Sequence, residues 1–364
     1  MIRGKGRRGI DYSKELAIMG TRQRWTALAV FMVVLIILPF FLDYWTWNTT
    51  WLIFINSTII TIIAVLGLNI TSGMAGQVNL GHSAFVMTGG FTAAVLTKSA
   101  GLPMLIALPV AALFTGLVAL VVAIPSIRLK GFYVAVVTMA FFFLAQYAIT
   151  KIDITGGMHG LSEIPPPAIG GFELSRSAFK DTILEGFVNI AWYFFLVIIL
   201  ILCIIVSVNI KRSRLGRSFT AVRDNYIAAA SLGINVPWVK LQAFFIGGLF
   251  AGLAGGLMVS SLNVIRTDDF TFWQSIWYLG MIIIGGSGST AGAIMGVVFL
   301  HLIQEILGAV GSAGWVPIDI GDQASTTFMI YGLIIILFVS FKPNGLISIW
   351  QKIKLNYKRW PFGV

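Results

Sequence analysis

Few side chains in this sequence could move a proton or a chemical group, and they are scattered through an apolar chain. His301 and Glu305 stand four residues apart, so one helix face would carry both. Such a pair could relay a proton; a hydrogen bond between packed membrane helices uses the same geometry and is the commoner outcome. Gly285-Gly286-Ser287-Gly288-Ser289 has glycines but no lysine, so it does not make the loop that cradles nucleotide phosphates. No nucleophile, base and orienting group form a cluster, which argues against an enzyme. Cys203 is the single cysteine and lies in an apolar run. It has no intrachain disulfide partner and no zinc spacing around it, so it reads as a packing residue. No cofactor or metal is expected on this chain.

Two polar stretches remain. The first runs from Gly67 to His82 and contains Asn69, Gln77, Asn79 and His82 among glycines, with no charge. It could be a plain turn between two spans. It could also be irregular backbone at membrane depth, tolerated only against protein or a wet cavity, and so near a substrate path. The second runs from Asn209 to Lys240. Ser218 is a plausible N-cap, Phe219 to Leu232 is compatible with one helix, and Gly233 with Pro237 beyond it suits a left-handed stop. Asp224 and Asn225 precede the small residues Ala228, Ala229 and Ala230. A short helix of small residues could fit a groove on a partner, and a solvated connector with basic anchors is equally compatible.

These stretches sit between apolar runs. Hydrophobic residues make up 57% of the chain and charged residues 11%, against about 25% charged in a soluble domain. The mean hydropathy of +0.90 leaves too little polar surface for a water-soluble fold. Apolar runs recur at 25–42, 51–70, 81–97, 102–124, 132–150, 187–208, 241–261, 273–285, 291–308 and 326–341. Most approach the roughly 20 residues that cross a bilayer as helix. The expected fold is all-α and polytopic, with about ten transmembrane segments.

Charge placement orients them. The first 25 residues hold seven basic residues against Asp11 and Glu15, and the last 23 hold five basic residues and no acid. The 209–240 loop holds six basic residues and one acid, whereas the 151–186 loop holds three basic and five acidic. Excess Lys and Arg mark the cytoplasmic side. The count is satisfied when 1–24 and 342–364 are cytoplasmic tails, 209–240 is a cytoplasmic loop and 151–186 is extracytoplasmic. It also needs 273–308 to cross twice, turning at Gly285 to Ser289, within a membrane domain at 25–341. The long basic start and Pro39-Phe40-Phe41 argue for an uncleaved first span rather than a signal peptide. Ten segments divide into five and five, with the second half inverted relative to the first, as in many transporters. The basic clusters flank spans, which argues against nucleic acid and for the lipid bilayer as their partner.

The run Gly216-Arg217-Ser218-Phe219-Thr220-Ala221-Val222-Arg223-Asp224-Asn225, then Ala228 to Asn235 and Lys240 to Phe244, resembles the loop of LivM-type branched-chain amino-acid permeases. Ala251 to Gly256, Phe270-Thr271-Phe272 and Gly285 to Ser289 are similar to that family in the same order. The resemblance covers roughly residues 50 to 345. It implies that Gly216, Ala221, Asp224, Asn225, Ala228, Ala229, Ala230 and Gly233 form a segment docking on a cytosolic ATPase. It favours the broken-segment reading of Gly67 to His82. Thr155-Gly156-Gly157 is a further element similar to the family, and the loop it opens is expected to face the binding protein. The implied assembly is this permease, a second homologous permease, two cytosolic ATPases and an extracytoplasmic binding protein, importing leucine, isoleucine or valine. Urea or short-chain amide importers share these motifs. An ion-coupled carrier is the rival class, and the absence of Asp or Lys deep in a span argues against it.

Overall fold

The computed structural model describes residues 50–129, 131–169, 172–173, 184–312, 323–342 and 345–359. The expected first span at 25–42, the segment 1–24 and the segment 313–322 lie outside the described residues.

Twelve helices are described: α1 Thr50–Leu68, α2 His82–Lys98, α3 Met104–Arg128, α4 Phe132–Lys151, α5 Leu184–Arg212, α6 Arg214–Asp224, α7 Tyr226–Ser231, α8 Val236–Leu262, α9 Phe272–Gly285, α10 Thr290–Ser312, α11 Gln323–Phe341 and α12 Gly345–Arg359. Among the described residues six stretches, in α1, α3, α4, α5, α8 and α10, are long and apolar enough to cross a membrane. An apolar surround leaves the backbone no partner but itself, which is why such runs become helices. The only paired strands among the described residues are two-residue pieces, Ala168–Ile169 against Phe172–Glu173.

α8 is the hub and packs against α1, α2 and α3. Its small residues permit this. A Cβ on Gly255 would overlap the Val86 carbonyl oxygen of α2, and one on Gly89 of α2 would overlap the Gly252 backbone. Close backbone approach through small residues gains dispersion contacts where burial in lipid offers none. α5 closes one side, with Trp192 Nε1 donating to Ser261 Oγ of α8 at 3.0 Å. Lys240 is buried in the first turn of α8, and its Nζ donates to Leu129 O at 3.0 Å.

Two helices begin inside the molecule rather than at its faces. α1 continues through a π-helical segment, Asn69–Met74, before the chain turns extended. His82 Nε2, at the start of α2, then donates to Ala64 O in the body of α1 at 2.8 Å. α2 therefore starts beside the last turns of α1. Its far end lies at one face of the molecule, where Lys98 Nζ donates to Ser162 O at 2.6 Å and Ile164 N–H donates to Asn263 O beyond α8 at 3.2 Å. From Asn263 the chain runs back inward until the Thr271 carbonyl meets Ser83 Oγ at 3.0 Å, and α9 begins there. α9 leads to the opposite face, where Gly288 N–H donates to Asn69 Oδ1 at 2.9 Å. The α1–α2 and α8–α9 pairs are the same device run in opposite directions.

The eighth run, 273–285, is a helix as read: α9 has 14 residues, about 21 Å at 1.5 Å per residue, short of the roughly 30 Å core. The 263–271 segment completes its path. The 209–240 loop is not one helix capped by Ser218. Ser213 caps α6, its Oγ accepting from Gly216 N, while Ser218 Oγ donates to Arg214 O inside the helix. Asn225 breaks the run at φ −158° and ψ 102°, and its Oδ1 accepts from Ile227 N and Ala228 N. An Asn side chain supplies the backbone an alternative to the helical ladder, and here it wins. Gly233 does adopt the expected left-handed conformation, at φ 83°. The 342–364 segment contains a helix. α12 lies within it, packs on α9 and α10, and is basic in sequence.

Candidate functional site

The N-terminal ends of α2 and α9 meet inside the molecule. Ser83 Oγ lies 2.7 Å from Ser275 Oγ, and Ser83 N–H donates to Ser275 Oγ at 2.9 Å. The His82 ring stands edge-on to Tyr278, with centroids 6.0 Å apart. Helix N-termini carry unpaired N–H groups and partial positive charge, so a converging pair makes a polar focus in an apolar setting. Two cavities flank it. One of about 370 Å³ lies between α1, α2, α5, α8 and α9. The second, of about 350 Å³, is lined by Asp269, Trp277 and His301 among others. Ser57, Thr61, Gln274 and Tyr278 line both.

Asn69, Gln77, Asn79 and His82 line neither cavity. All four are buried and engaged with the chain itself. Asn69 Oδ1 holds the α9–α10 turn, and Gln77 Nε2 donates to Ala75 O at 3.2 Å. Asn79 Oδ1 accepts from Gly81 N at 3.0 Å. They fix the extended 75–81 segment, which is what irregular backbone inside an apolar body requires. His301 Nδ1 meets Thr58 Oγ1 at 2.9 Å, an α10–α1 hydrogen bond.

At the face holding the α9–α10 turn, α6 and α7 form a projecting unit. Arg223 Nη1 donates to Gly73 O at 3.0 Å, and Lys211 Nζ donates to Gly288 O at 2.6 Å. With the Asn69 bond, these tie α6, the end of α1 and the α9–α10 turn into one knot. Asp224 pairs with Arg223 at 3.1 Å on the surface. Gly216 is buried because a side chain there would overlap the Ile210 and Lys211 carbonyls at the end of α5. Ala221 is half-buried; Ala228, Ala230 and Gly233 are exposed. Ala229 is 2% exposed and turned into the fold, so it offers nothing to a partner. The exposed apolar surface comes instead from Ile227 at 63%, Leu232 at 81% and Trp238. The six-residue α7 thus buries one alanine and presents its other face.

The family described as "branched-chain amino acid transport system / permease component" matches residues 50–339. The chain belongs to that family. It is 31% identical over 303 residues to the high-affinity branched-chain amino acid transport system permease protein LivM of Escherichia coli, covering 80% of this chain and 68% of that one. It is 24% identical over 308 residues to a probable branched-chain amino acid transport permease protein LivH of Methanocaldococcus jannaschii, covering 82% and 92%. An autoinducer 2 import system permease protein LsrC of Salmonella typhimurium is 28% identical over 152 residues, covering 40% and 42%. No solved structure matches. The chain is a multi-pass membrane protein with the role of a permease subunit.

In this permease the 153–160 turn lies at the face opposite α7. Thr155 Oγ1 donates to Ile149 O and Ile152 O, both at 2.6 Å, closing the end of α4. Gly156 and Gly157 are left-handed, at φ 78° and 58°. Leu161 then pairs with Ile265, which anchors the inward-running 263–271 segment. Sequence reasoning missed the residues that line the cavities, Asn56, Asn263, Gln274 and Tyr278. Each lies in or beside an apolar run with no motif around it, and only the reversal of the chain brings them together.

Proposed function

We propose that this chain is one of two membrane-spanning subunits of an ATP-driven importer for branched-chain amino acids, in the cytoplasmic (inner) membrane with both termini cytoplasmic. Its partners are a second homologous permease, two cytosolic ATPases and an extracytoplasmic binding protein. It binds no cofactor, and ATP is hydrolysed in the partner. The observation that carries the reading is the family match over 50–339 together with the likeness to a LivM that spans 80% of the chain. An exposed apolar face on α7, joined through α6 to the end of α1 and the α9–α10 turn, supports it mechanically. A partner that grips α7 would pull on the end of α1 and on the turn that fixes α9. Both lead to the junction at Ser83 and Ser275. Five segments in each half, the second inverted, fits the opposed α1–α2 and α8–α9 pairs.

Two experiments test this reading. Cells lacking the gene should lose uptake of labelled leucine and retain uptake of urea. Leucine uptake should survive collapse of the proton gradient while ATP is maintained; loss with the gradient alone would point to an ion-coupled carrier. Orientation is tested separately, in a Cys203→Ala background. Met158→Cys, at a position 81% exposed, should react with an impermeant thiol reagent added outside intact cells. Leu232→Cys should react only after the membrane is opened. The reverse pattern would invert the topology.

A further inference from the structure

α12 has the sequence of a helix that lies in a membrane surface rather than crossing it. Its 15 residues include four basic residues and no acid. It is too short and too charged to span roughly 30 Å of hydrocarbon. In helical register Leu346, Ile349, Trp350, Ile353 and Tyr357 share one stripe, spaced i, i+3, i+4, i+7 and i+11. Lys352, Lys354, Lys358 and Arg359 fall outside that stripe. Protein holds the first turn: a side chain on Gly345 would overlap the Gly286 backbone, and Leu346 packs on the core. The next turn is open, with Ile349 exposed and Trp350 56% exposed.

The neighbourhood of α12 favours one cover for this stripe. α11 leaves Met329, Leu333, Ile336, Leu337 and Phe341 exposed along one side. On an expected span such a side faces lipid tails. A tight turn, closed by Gly345 N–H donating to Lys342 O at 2.8 Å, joins Phe341 to α12. The apolar stripe of α12 thus begins where the lipid-facing side of α11 ends. The surroundings are basic as well, since α6 at the same face carries Arg214, Arg217 and Arg223. The segment 1–24, with seven basic residues against two acids, has the wrong charge to cover α12. An amphipathic helix with Trp at headgroup level and basic residues on its polar side holds to anionic leaflets. We propose that α12 is an in-plane anchor that docks on anionic phospholipid headgroups at the membrane surface. Its first turn sits on the α9–α10 turn that Asn69 and Lys211 also hold, so the headgroups set the level of that knot. The inference does not depend on the solute carried.

The full chain with Ile349→Cys and Cys203→Ala, carrying a nitroxide on the new thiol, tests this in nanodiscs. One set of discs is phosphatidylcholine alone; the other is equal parts phosphatidylcholine and phosphatidylglycerol. In the anionic discs the neutral aqueous relaxant nickel–EDDA should reach the label about threefold less, and dissolved oxygen should reach it more. High salt should cancel the difference in the same protein, with no further variant required to fold. Lys352→Gln, Lys354→Gln, Lys358→Gln and Arg359→Gln together should cancel it too. Lys352→Arg, Lys354→Arg and Lys358→Arg together should keep it. A label closed to nickel–EDDA in both discs would mean that protein or uncharged lipid covers the stripe. A label open in both would mean that the stripe waits for another partner. Either result overturns the anionic anchor.

Discussion

Ile227→Glu combined with Leu232→Glu should leave the permease inserted and folded while abolishing leucine uptake and co-purification of its ATPase. Both side chains are well exposed, at 63% and 81%, so the changes strip little from the chain's own core. Exposed substitutions of this kind usually stay within about 0.5 kcal/mol of stability. On a docked surface the same carboxylates must lose their water without gaining a partner, at several kcal/mol each. At about 1.4 kcal/mol per factor of ten, association should weaken by two orders of magnitude or more. Asp224→Ala should be milder, since a rim charge tunes encounter more than it holds a complex. Ala229→Glu is the wrong probe: that position is 2% exposed, so a carboxylate there tests folding. Unaltered assembly and uptake in the double variant would make α6 and α7 a passive connector.

Gly255→Val should give the largest loss of stability. Its side chain would drive into the Val86 carbonyl and the Gly90 backbone amide of α2. Backbone cannot rotate aside as a side chain can, so α2 and α8 must part. Overpacking costs about 1–3 kcal/mol where side chains can adjust, and the upper end or beyond is expected here. Thermal aggregation in detergent should start well below the parent's onset, with low yield from membranes. Gly308→Ala is the control. A Cβ there meets nothing within 4 Å, and alanine is the better helix former by roughly 1 kcal/mol. A Gly255→Val protein that melts with the parent would mean that the α2–α8 contact is not close.

How much of this was legible depended on the range of the physics involved. Apolar runs gave the helices, because composition alone decides what can sit in lipid. The stop at Gly233 was readable for the same local reason, as a glycine at a left-handed position. The break at Asn225 was a contest between a side chain and the helical ladder, and residue type alone did not settle it. Asn69, Gln77, Asn79 and His82 stood out as polar residues in an apolar zone, yet their partners are Gly288, Ala75, Gly81 and Ala64. The same signal serves a backbone that needs internal partners and a path that needs polar walls. Asn56 and Gln274 gave no pattern at all, because their proximity comes from a chain reversal between distant segments.

α2 lies against α8, a helix made more than a hundred residues later. A ribosome adding about 5–20 residues per second needs roughly seven to thirty seconds to cover that distance. Throughout that interval α2 and the polar stretch before it have been synthesised, but the glycine-lined groove that receives them has not. The nascent chain can pack α2 on α3, made next, but completes its seat only when the second half arrives. Assembly of the first half thus waits on the last third of the message, and a chain cut short before α8 would leave α2 without its seat.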